Sequence, residues 1–418
     1  MKSETRFLRR YSGASGIQEL MVDLDLALSG PRKMYMLGGG NPGRIPEMEA
    51  FFREQMERLM ADEDRFERAL GVYDHPGGNL RFRQAVAELL QQSGWDVKAE
   101  NVALTQGSQN AFFLLMNLFG GVREDGGEAK IVFPLSPEYI GYEDVGIQKG
   151  TLKSFLPRIQ MLDEGFFRYE IDFDRLVVDE NTGAVCLSRP CNPTGNNVSN
   201  QQLEKLYEIC RAADVPLILD AAYGLPFPGI VFDDSRPFFR PGVISILSLS
   251  KLGLPGLRTG IVVGPSDVIE KIERLNSIFN LSCGGIGPAL ALESIRSGQL
   301  LQKCHSILQP HYLANRNLAI EMLRNGLSSH GLKIHESGGA FFLWLWFDAP
   351  ISTSRLYEKL KEAGVIVVPG KYYFPGLDDP FDHRDRCIRL SFSQNRENIE
   401  KGIAILIEIA KREIEAVS

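Results

Sequence analysis

Short runs of apolar, mainly β-branched residues alternate with segments of helical periodicity along most of this chain. The runs that predict buried strands are NVALT, KIVFPL, TGAVCLSRP, VPLILD, GVISILSLS and RTGIVVG. Between them, SQNAFFLLMNLF and NQQLEKLYEICRAAD carry apolar residues at the three- and four-residue spacing of a helix. Strands that alternate with helices in this way predict an α/β fold with a mostly parallel, doubly wound sheet.

The pattern changes toward the C-terminus. A helical stretch from about 288 to 327 precedes the apolar run AFFLWLWF, and STSRLYEKLKEAG follows as a helix. VIVVPG and CIRLSFS predict strands, and a closing helix is expected from about 395 to 415. We therefore predict a large domain over 46–300 and a smaller α+β domain built from 1–45 and 301–418, with GIQELMVDLDLAL as a further helix of the smaller domain.

The composition narrows the choice of partners. The hydrophobic fraction is 44%, the charged fraction is 24%, and the formal net charge is −7. This mild negative charge argues against nucleic acid or an anionic membrane as a partner. The longest apolar run is too short to span a bilayer, and no apolar segment follows the charged N-terminus as in a secretory signal. The six cysteines form no CxxC pair, so we expect reduced thiols and a cytoplasmic location.

Polar residues follow several predicted strands, where doubly wound sheets bind their ligands. Asp220 ends an apolar run and needs a cationic partner there, although it could instead cap a following helix. Tyr223 follows it closely, so the two side chains could hold the two ends of a planar heteroaromatic ring. Asn192 lies in a turn that proline and glycine alone could explain. Gly107 and Ser108 precede a helix whose first N–H groups could bind an anion.

The segment SLSKLGLPGLRTG places Lys251 directly after a buried strand and Arg258 seven residues later. A lysine held partly out of water near other cations loses basicity and becomes a competent nucleophile. Arg258 could clamp a phosphate together with Ser248 and the turn at Gly107. A nucleophilic lysine, a phosphate clamp, Asp220 on a ring nitrogen and donors to a ring oxygen together predict a pyridoxal phosphate site.

These motifs resemble those of the fold-type I pyridoxal phosphate-dependent aminotransferases, the aspartate aminotransferase superfamily. NPTG, DAAY, SLSK, PGLRTG and RLSF occur in the order of that family, and the resemblance covers essentially the whole chain. The resemblance implies a pyridoxal 5'-phosphate cofactor, amino acid and 2-oxo acid substrates, and a homodimer with shared active sites. No metal is implied.

The resemblance also implies a role for each candidate residue. Lys251 carries the cofactor and moves the proton, and Asp220 pairs with the ring nitrogen. Asn192 and Tyr223 bind the ring oxygen. Arg389 binds the substrate α-carboxylate. The residues implied to bind the phosphate are Gly107, Ser108, Ser248, Arg258 and, reaching across to the partner subunit, Tyr73. Tyr139 is implied to stack on the ring.

Longer blocks resemble a narrower group of the superfamily. MLGGGNPGRIPEM, FPLSPEYIGYEDVG, YGLPFPGIVF and VPGKYYFPGL are similar to segments of the aminotransferases that exchange an amino group between valine and pyruvate. The implied products are 2-oxoisovalerate and alanine, formed in a two-step ping-pong reaction. The expected substrate-binding residues besides Arg389 are Asn192, Gly39 and Ile17. Gly39 departs from many relatives, which have a bulkier residue there, and Ile17 is expected to be an apolar lid.

Three alternative interpretations stay open at this stage. GGGNPG matches the GxGxxG pattern of a dinucleotide site, but Pro42 lacks an N–H group where the helix should begin, and no βαβ unit surrounds it. The same cofactor site serves many reactions, so an aminotransferase of another substrate range or a C–S lyase is an alternative. A cofactor-binding regulator without catalysis would need an additional DNA-binding domain, for which the length leaves no room.

Overall fold

The computed structural model of the chain describes residues 4–13, 17–18, 21–22, 25 and 33–417. The α-helices within these residues are α1 (Arg6–Arg10), α2 (Pro46–Ala61), α3 (Glu63–Gly71), α4 (Leu80–Gln92), α5 (Ser108–Phe119), α6 (Asn200–Ala212), α7 (Ser266–Phe279), α8 (Ile286–Arg296), α9 (Gln299–Lys303), α10 (Gln309–Leu327), α11 (Thr353–Glu362) and α12 (Arg396–Glu415). None of the helices in this described part is long and apolar enough to cross a bilayer.

The strands fall into two large sheets and one small pair. They are β1 (Tyr35–Met36), β2 (Val102–Gln106), β3 (Gly121–Val122), β4 (Glu128–Phe133), β5 (Leu152–Ser154), β6 (Arg158–Met161), β7 (Phe166–Glu170), β8 (Thr182–Ser188), β9 (Leu217–Asp220), β10 (Val243–Ser248), β11 (Thr259–Val263), β12 (Leu332–His335), β13 (Phe342–Phe347), β14 (Val365–Ile366), β15 (Val368–Pro369) and β16 (Cys387–Ser391).

The larger sheet has the order β2-β11-β10-β9-β8-β4-β3, with β5 beside β4. The neighbours from β10 through β9, β8 and β4 to β5 are parallel, whereas β11 runs antiparallel to both β10 and β2. Alternate residues along a strand face opposite sides of the sheet. Leu217 and Leu219 accordingly share a buried cluster with α6, while Ile218 packs in a different cluster with α5 and α7. The mostly parallel, doubly wound sheet is confirmed.

The second sheet has the order β15-β16-β13-β12-β7-β6. Most of its strands come from the C-terminal part of the chain, but β6 and β7 lie within 46–300 and join it through β12, where Ile334 pairs with Phe166. A domain built around this sheet would therefore include residues 158–170. The N-terminal part is linked to the same region because β1 pairs with β14. The division into two domains, with its boundaries, stays a prediction.

Two predicted elements are divided in the structure. The helical stretch near 288–327 is interrupted at Gly298, whose φ of 73° is left-handed and ends α8 before α9 begins. The segment VIVVPG forms two short strands, because β14 pairs with β1 while β15 pairs with β16. The helix predicted for GIQELMVDLDLAL lies mostly outside the described residues.

The strand directions explain why the candidate residues lie near one another. Residues after β2, β4, β8, β9 and β10 all lie at one edge of the sheet, since these strands run the same way. The antiparallel strand β11 begins at that edge, and its first residues pair with the last residues of its neighbours, Thr259 with Gln106 and Gly260 with Ser248. The residue before β11, Arg258, is thereby placed beside the ends of β2 and β10.

Candidate active site

Lys251 lies at this edge, in the short 3-10 helix Ser250–Leu252 that follows β10. Its Nζ atom donates a hydrogen bond of 2.9 Å to the carbonyl oxygen of Gly40. The same atom lies 5.1 Å from the ring centre of Tyr223 and 5.7 Å from that of Phe341. The amine is therefore held between a backbone carbonyl and two aromatic faces, with little water around it.

This environment makes the amine of Lys251 less basic. Burial lowers the pKa of Lys251 to about 8, and the positive charges of Arg389 and Arg258 act in the same direction, against the charge of Asp220. At pH 7 about a tenth of the amine is therefore neutral, and the neutral fraction reaches about half near pH 8. Only the neutral amine can attack a carbonyl carbon or accept a proton, so the geometry suits the predicted nucleophile.

Asp220 is the last residue of β9 and is held by two hydrogen bonds. Its Oδ2 atom accepts from the hydroxyl group of Tyr142 at 2.6 Å, and its Oδ1 atom accepts from the N–H of Ala222 at 2.9 Å. Burial raises the pKa of Asp220, while both hydrogen bonds and the charge of Lys251 lower it. The residues after Asp220 form turns, so it does not cap a helix. The carboxyl group is free to pair with a cationic ligand atom.

Arg389, in β16, is 3% exposed and reaches into the same space. Its guanidinium donates to Asn192 Oδ1 at 2.7 Å and to the carbonyl oxygen of Gly38 at 2.5 Å, and it lies 4.4 Å from the ring centre of Phe342. Among the described residues, its Nε atom has no hydrogen-bond partner. A buried N–H without a partner suits an incoming carboxylate. Because the oxygen of Asn192 faces the arginine, its amide N–H groups can donate to a ligand.

An anion cradle lies between β2, β10 and β11. Gly107 precedes α5 with a φ of 81°, and a Cβ atom there would collide with the guanidinium of Arg258. Ser108 begins α5, so its backbone N–H is one of the unpaired helix-start donors. The Ser248 hydroxyl is fully buried and accepts a hydrogen bond from the N–H of Ser250. The hydroxyl of Ser250 in turn lies 3.5 Å from Arg258 Nη1. Ser250 is therefore a further candidate for binding the anion, besides the residues predicted from the sequence.

The other predicted residues differ in how far they enter the pocket. The ring of Tyr139 stacks edge-on to Tyr142 at 5.3 Å. A Cβ atom on Gly39 would meet no atom within 4 Å, so open space lies beside it. Ile17 is half-buried and packs against the buried cluster that Tyr139 also contacts. Tyr73 is 78% exposed on the surface of the single chain.

The GGGNPG segment takes part in the lysine site and does not form a strand-to-helix phosphate loop. The Gly40 carbonyl oxygen accepts from Lys251, and the N–H of Gly43 donates to Tyr312 at 2.9 Å. A Cβ atom on Gly43 would collide with the backbone of Ser393. This glycine therefore permits close packing against another part of the chain, which explains the motif without a dinucleotide.

Several polar residues of the site were not predicted from the sequence. Glu138 and Tyr142 lie on either side of the predicted Tyr139 in SPEYIGY, and a glutamate three residues after the apolar run KIVFPL was the signal that could have identified this part of the site. Tyr373 packs its ring 5.1 Å from the Arg389 guanidinium, and its buried hydroxyl has no partner among the described residues. Ser188 ends β8 and contacts both Glu138 and Tyr142. These residues line or support the space between Lys251 and Arg389.

The combined donors fit a phosphorylated heteroaromatic ring. The cradle at Arg258 suits the phosphate, Asp220 suits a protonated ring nitrogen, and the amide of Asn192 suits a ring oxygen. A family model for aminotransferases of class I and II matches residues 51–406. The chain belongs to this family. The resemblance to fold-type I aminotransferases, and with it the predicted fold class, is confirmed.

The similarity to known proteins covers nearly the whole length of this aminotransferase. The valine–pyruvate aminotransferase of Escherichia coli (strain K12) is 43% identical over 405 residues, which cover 96% of this chain and 97% of that protein. The crystal structure of the valine–pyruvate aminotransferase from Salmonella typhimurium LT2 has 42% identity and a TM-score of 0.87, covering 96% of this chain and 100% of that one. An aspartate aminotransferase from Thermus thermophilus, at 23% identity, shares the fold with a TM-score of 0.79 over 98% of this chain and 100% of its own.

Proposed function

We propose that this aminotransferase moves an amino group between valine, or a similar small aliphatic amino acid, and pyruvate, with pyridoxal 5'-phosphate as cofactor. The observation that carries the proposal is that Lys251 and Asp220, at the carboxyl ends of strands of the large sheet, lie close enough to Arg389 of the second sheet for its charge and that of Asp220 to act on the amine. Among the described residues, the Nε atom of Arg389 has no hydrogen-bond partner and is available to a substrate carboxylate. When bound, the cofactor supplies an electron sink for the electrons released at the substrate Cα atom. The similarity to two valine–pyruvate aminotransferases supports the choice of substrates.

Each residue then has a defined task in the two half-reactions. The guanidinium of Arg389 binds the substrate α-carboxylate and fixes the Cα–H bond near Lys251. The neutral amine of Lys251 takes the proton from Cα and returns it, because its lowered pKa of about 8 lets it change protonation state near neutral pH. Asp220 favours a protonated ring nitrogen through its negative charge. The same residues serve the oxo acid in the reverse direction, which gives a ping-pong reaction.

The side-chain pocket is expected to be small and without charge. The segment SCGGIGPA at 282–289 contains no ionisable residue except Cys283, whose pKa burial raises to about 12. Open space beside Gly39 and Gly284 leaves room for a branched aliphatic group. Burial of a valine side chain there contributes about 1.5–3 kcal/mol. A substrate carboxylate would lose its hydration without gaining a fixed cation.

We therefore predict that valine, alanine and 2-aminobutyrate are better amino donors than aspartate or glutamate. The expected ratio of kcat/KM between valine and glutamate is about 100 or more, since an unpaired buried carboxylate is strongly disfavoured. The measurement is kcat/KM for each donor at saturating pyruvate. Glutamate or aspartate exceeding valine would contradict the proposed substrates and leave the aminotransferase family unaffected.

We also propose a homodimer in which each subunit completes the other's active site. Exposed apolar residues flank both Tyr73 and the 282–289 segment along the chain; they are Leu70, Val72, Leu80, Ile278, Phe279 and Leu281. These two parts of the chain are adjacent, because Asn276 donates to the carbonyl oxygen of Pro76 at 3.0 Å. A large exposed apolar surface favours association. Tyr73 and the 282–289 segment would enter the partner's site together.

A charge substitution tests whether this surface forms the dimer interface. Ile278→Glu, which places a carboxylate at a 77% exposed apolar position, should convert the dimer largely to monomer and lower kcat at least about tenfold. Sedimentation velocity measures the association, and Met161→Glu, at a 50% exposed position in β6, is the control. A dimer unaffected by Ile278→Glu, or a solved dimer with Tyr73 nearer its own chain's site, would refute the arrangement.

The expected cytoplasmic location stays part of this proposal. All six cysteines are buried and free, which is consistent with a reducing compartment.

A further inference from the structure

Glu138 is a buried carboxyl group without a role in the proposed reaction. It is 1% exposed and lies in the segment after β4. Its Oε1 atom accepts from the N–H of Ser188 at 2.9 Å, and its Oε2 atom lies 2.5 Å from the Ser188 hydroxyl oxygen. The groups that act on its charge are therefore neutral donors and one carboxylate, Asp220. A buried carboxyl in such surroundings tends to keep its proton.

Two hydroxyl groups connect Glu138 to Asp220. The Ser188 hydroxyl oxygen lies 3.2 Å from that of Tyr142, and the Tyr142 hydroxyl is 2.6 Å from Asp220 Oδ2. The line from Glu138 to Asp220 therefore contains three oxygen–oxygen contacts. Ser188 and Tyr142 supply one hydrogen each. One further proton, carried by either carboxyl group, gives every contact one hydrogen.

The proton can lie at either end of this line. If Glu138 holds it, Glu138 donates to Ser188, Ser188 donates to Tyr142, and Tyr142 donates to an ionised Asp220. If Asp220 holds it, all three hydrogen bonds point the other way and the charge lies on Glu138. The two arrangements differ only by a shift of one hydrogen within each contact. The environment of the two carboxyl groups decides which arrangement is populated.

The environment favours the charge on Asp220. Both carboxyl groups accept a backbone N–H, Asp220 from Ala222 and Glu138 from Ser188, so the difference between them is the positive charge of Lys251, which favours the ionised form of Asp220. Burial is the main cause that raises the pKa of Glu138 to about 8; the charge of Asp220 acts in the same direction, and the hydrogen bonds from Ser188 act against it. Among the described residues, the main groups that act on Glu138 include no cation.

The other titratable groups around Glu138 are neutral. Burial raises the pKa of the Cys186 and Cys191 thiols well above the usual range, and the nearby carboxyl groups act in the same direction. Burial likewise raises the pKa of Tyr142 well above its usual range, so its hydroxyl keeps its hydrogen. The position of the proton shared by Glu138 and Asp220 therefore decides which of these two carboxyl groups carries the negative charge.

We propose that Glu138 is a positioning residue that holds a proton and, through Ser188 and Tyr142, keeps Asp220 ionised and oriented toward the cofactor's ring nitrogen. The effect on the reaction rests on the proposed function, whereas the location of the proton does not. In this arrangement Ser188 donates its hydrogen to the Tyr142 oxygen. The hydrogen of Tyr142 can therefore point only to Asp220. The network thus supplies one fixed negative charge at the end of β9.

The location of the proton can be tested on the cofactor-free protein by infrared difference spectroscopy. At pH 7 the wild-type protein should show the carbonyl stretch of a buried protonated carboxyl group, and Glu138→Gln should remove it. Asp220→Asn should retain the band. Glu413→Gln should also retain it, because Glu413 is buried but forms ion pairs with Arg355 and Lys359. Loss of the band in Asp220→Asn with retention in Glu138→Gln would place the proton on Asp220 and overturn the proposal.

The effect on Asp220 is tested by kinetics with valine and pyruvate. Ser188→Ala and Glu138→Leu break the line of donors and should each lower kcat about tenfold, with KM for valine changed less than about twofold. Glu138→Gln should keep more activity than Glu138→Leu, since an amide can donate to the Ser188 oxygen and accept from its N–H. Equal activity of Glu138→Gln, Glu138→Leu and wild type would overturn the proposed role. Absent transamination in the wild type would refute the proposed function and leave the infrared result standing.

Discussion

Replacing Lys251 by alanine is expected to lower kcat for valine–pyruvate transamination by about 10⁴-fold, the upper end of what general acid–base catalysis contributes. The loss should be large because one amine serves both as nucleophile and as the group that moves the Cα proton. The anion cradle is unchanged in this variant, so cofactor should still bind without a covalent link. The measurements are kcat, the absorbance spectrum of the loaded protein, and mass spectrometry after borohydride reduction.

The matched control for this variant is Lys271→Ala. Lys271 is an exposed lysine of α7, and it pairs at 2.8 Å with Asp267, which is also exposed. The Lys271→Ala substitution should leave kcat and the absorbance spectrum unchanged. A Lys251→Ala protein that keeps the wild-type spectrum, or that loses less than about tenfold in kcat, would show that another amine carries the cofactor.

Replacing Asp220 by asparagine is expected to lower kcat by up to about 10³-fold while the protein stays folded. A neighbouring opposite charge shifts a pKa by about 1–3 units, so its loss lowers the protonated fraction of the ring nitrogen by up to that factor. The amide can still accept one of the two hydrogen bonds, from Tyr142 or from Ala222, that the carboxylate accepts. The measurements are kcat and the pH dependence of the cofactor's absorbance.

Asp267→Asn is the control for charge removal at a distance, because Asp267 is 69% exposed in its side chain. The absorbance of the cofactor in Asp267→Asn should depend on pH as it does in the wild type. If the cofactor in Asp220→Asn also titrates like the wild type, then Asp220 does not contact the ring nitrogen and the proposed orientation of the cofactor is wrong. Far-ultraviolet circular dichroism of both variants separates a chemical effect from loss of fold.

Much of the fold follows from local pattern alone. The six apolar runs of the large sheet all form strands, since β-branched residues between helical segments have few other stable arrangements. Two-residue strands such as β1 and β3, and the strands β6 and β7 of the second sheet, were not predicted. The residues of β1, β3 and β6 are partly or fully exposed, so the pairing partner, and not the local sequence, decides that they are strands. In β7 buried and more exposed residues alternate, which is the local signal that could have identified this strand.

By itself, the sequence determined which residues stand at the strand ends, because a polar residue directly after a buried run is a local feature. Lys251, Asp220 and Asn192 were all identified in this way, and their spacing carried the family resemblance. What only the tertiary structure decided is which side chains touch. Arg389 meets Gly38 across 351 positions of the chain, and Glu138 reaches Asp220 only through Ser188 and Tyr142. Hydrogen bonds between distant segments depend on strand order and direction, and these are set by the packing of the whole sheet.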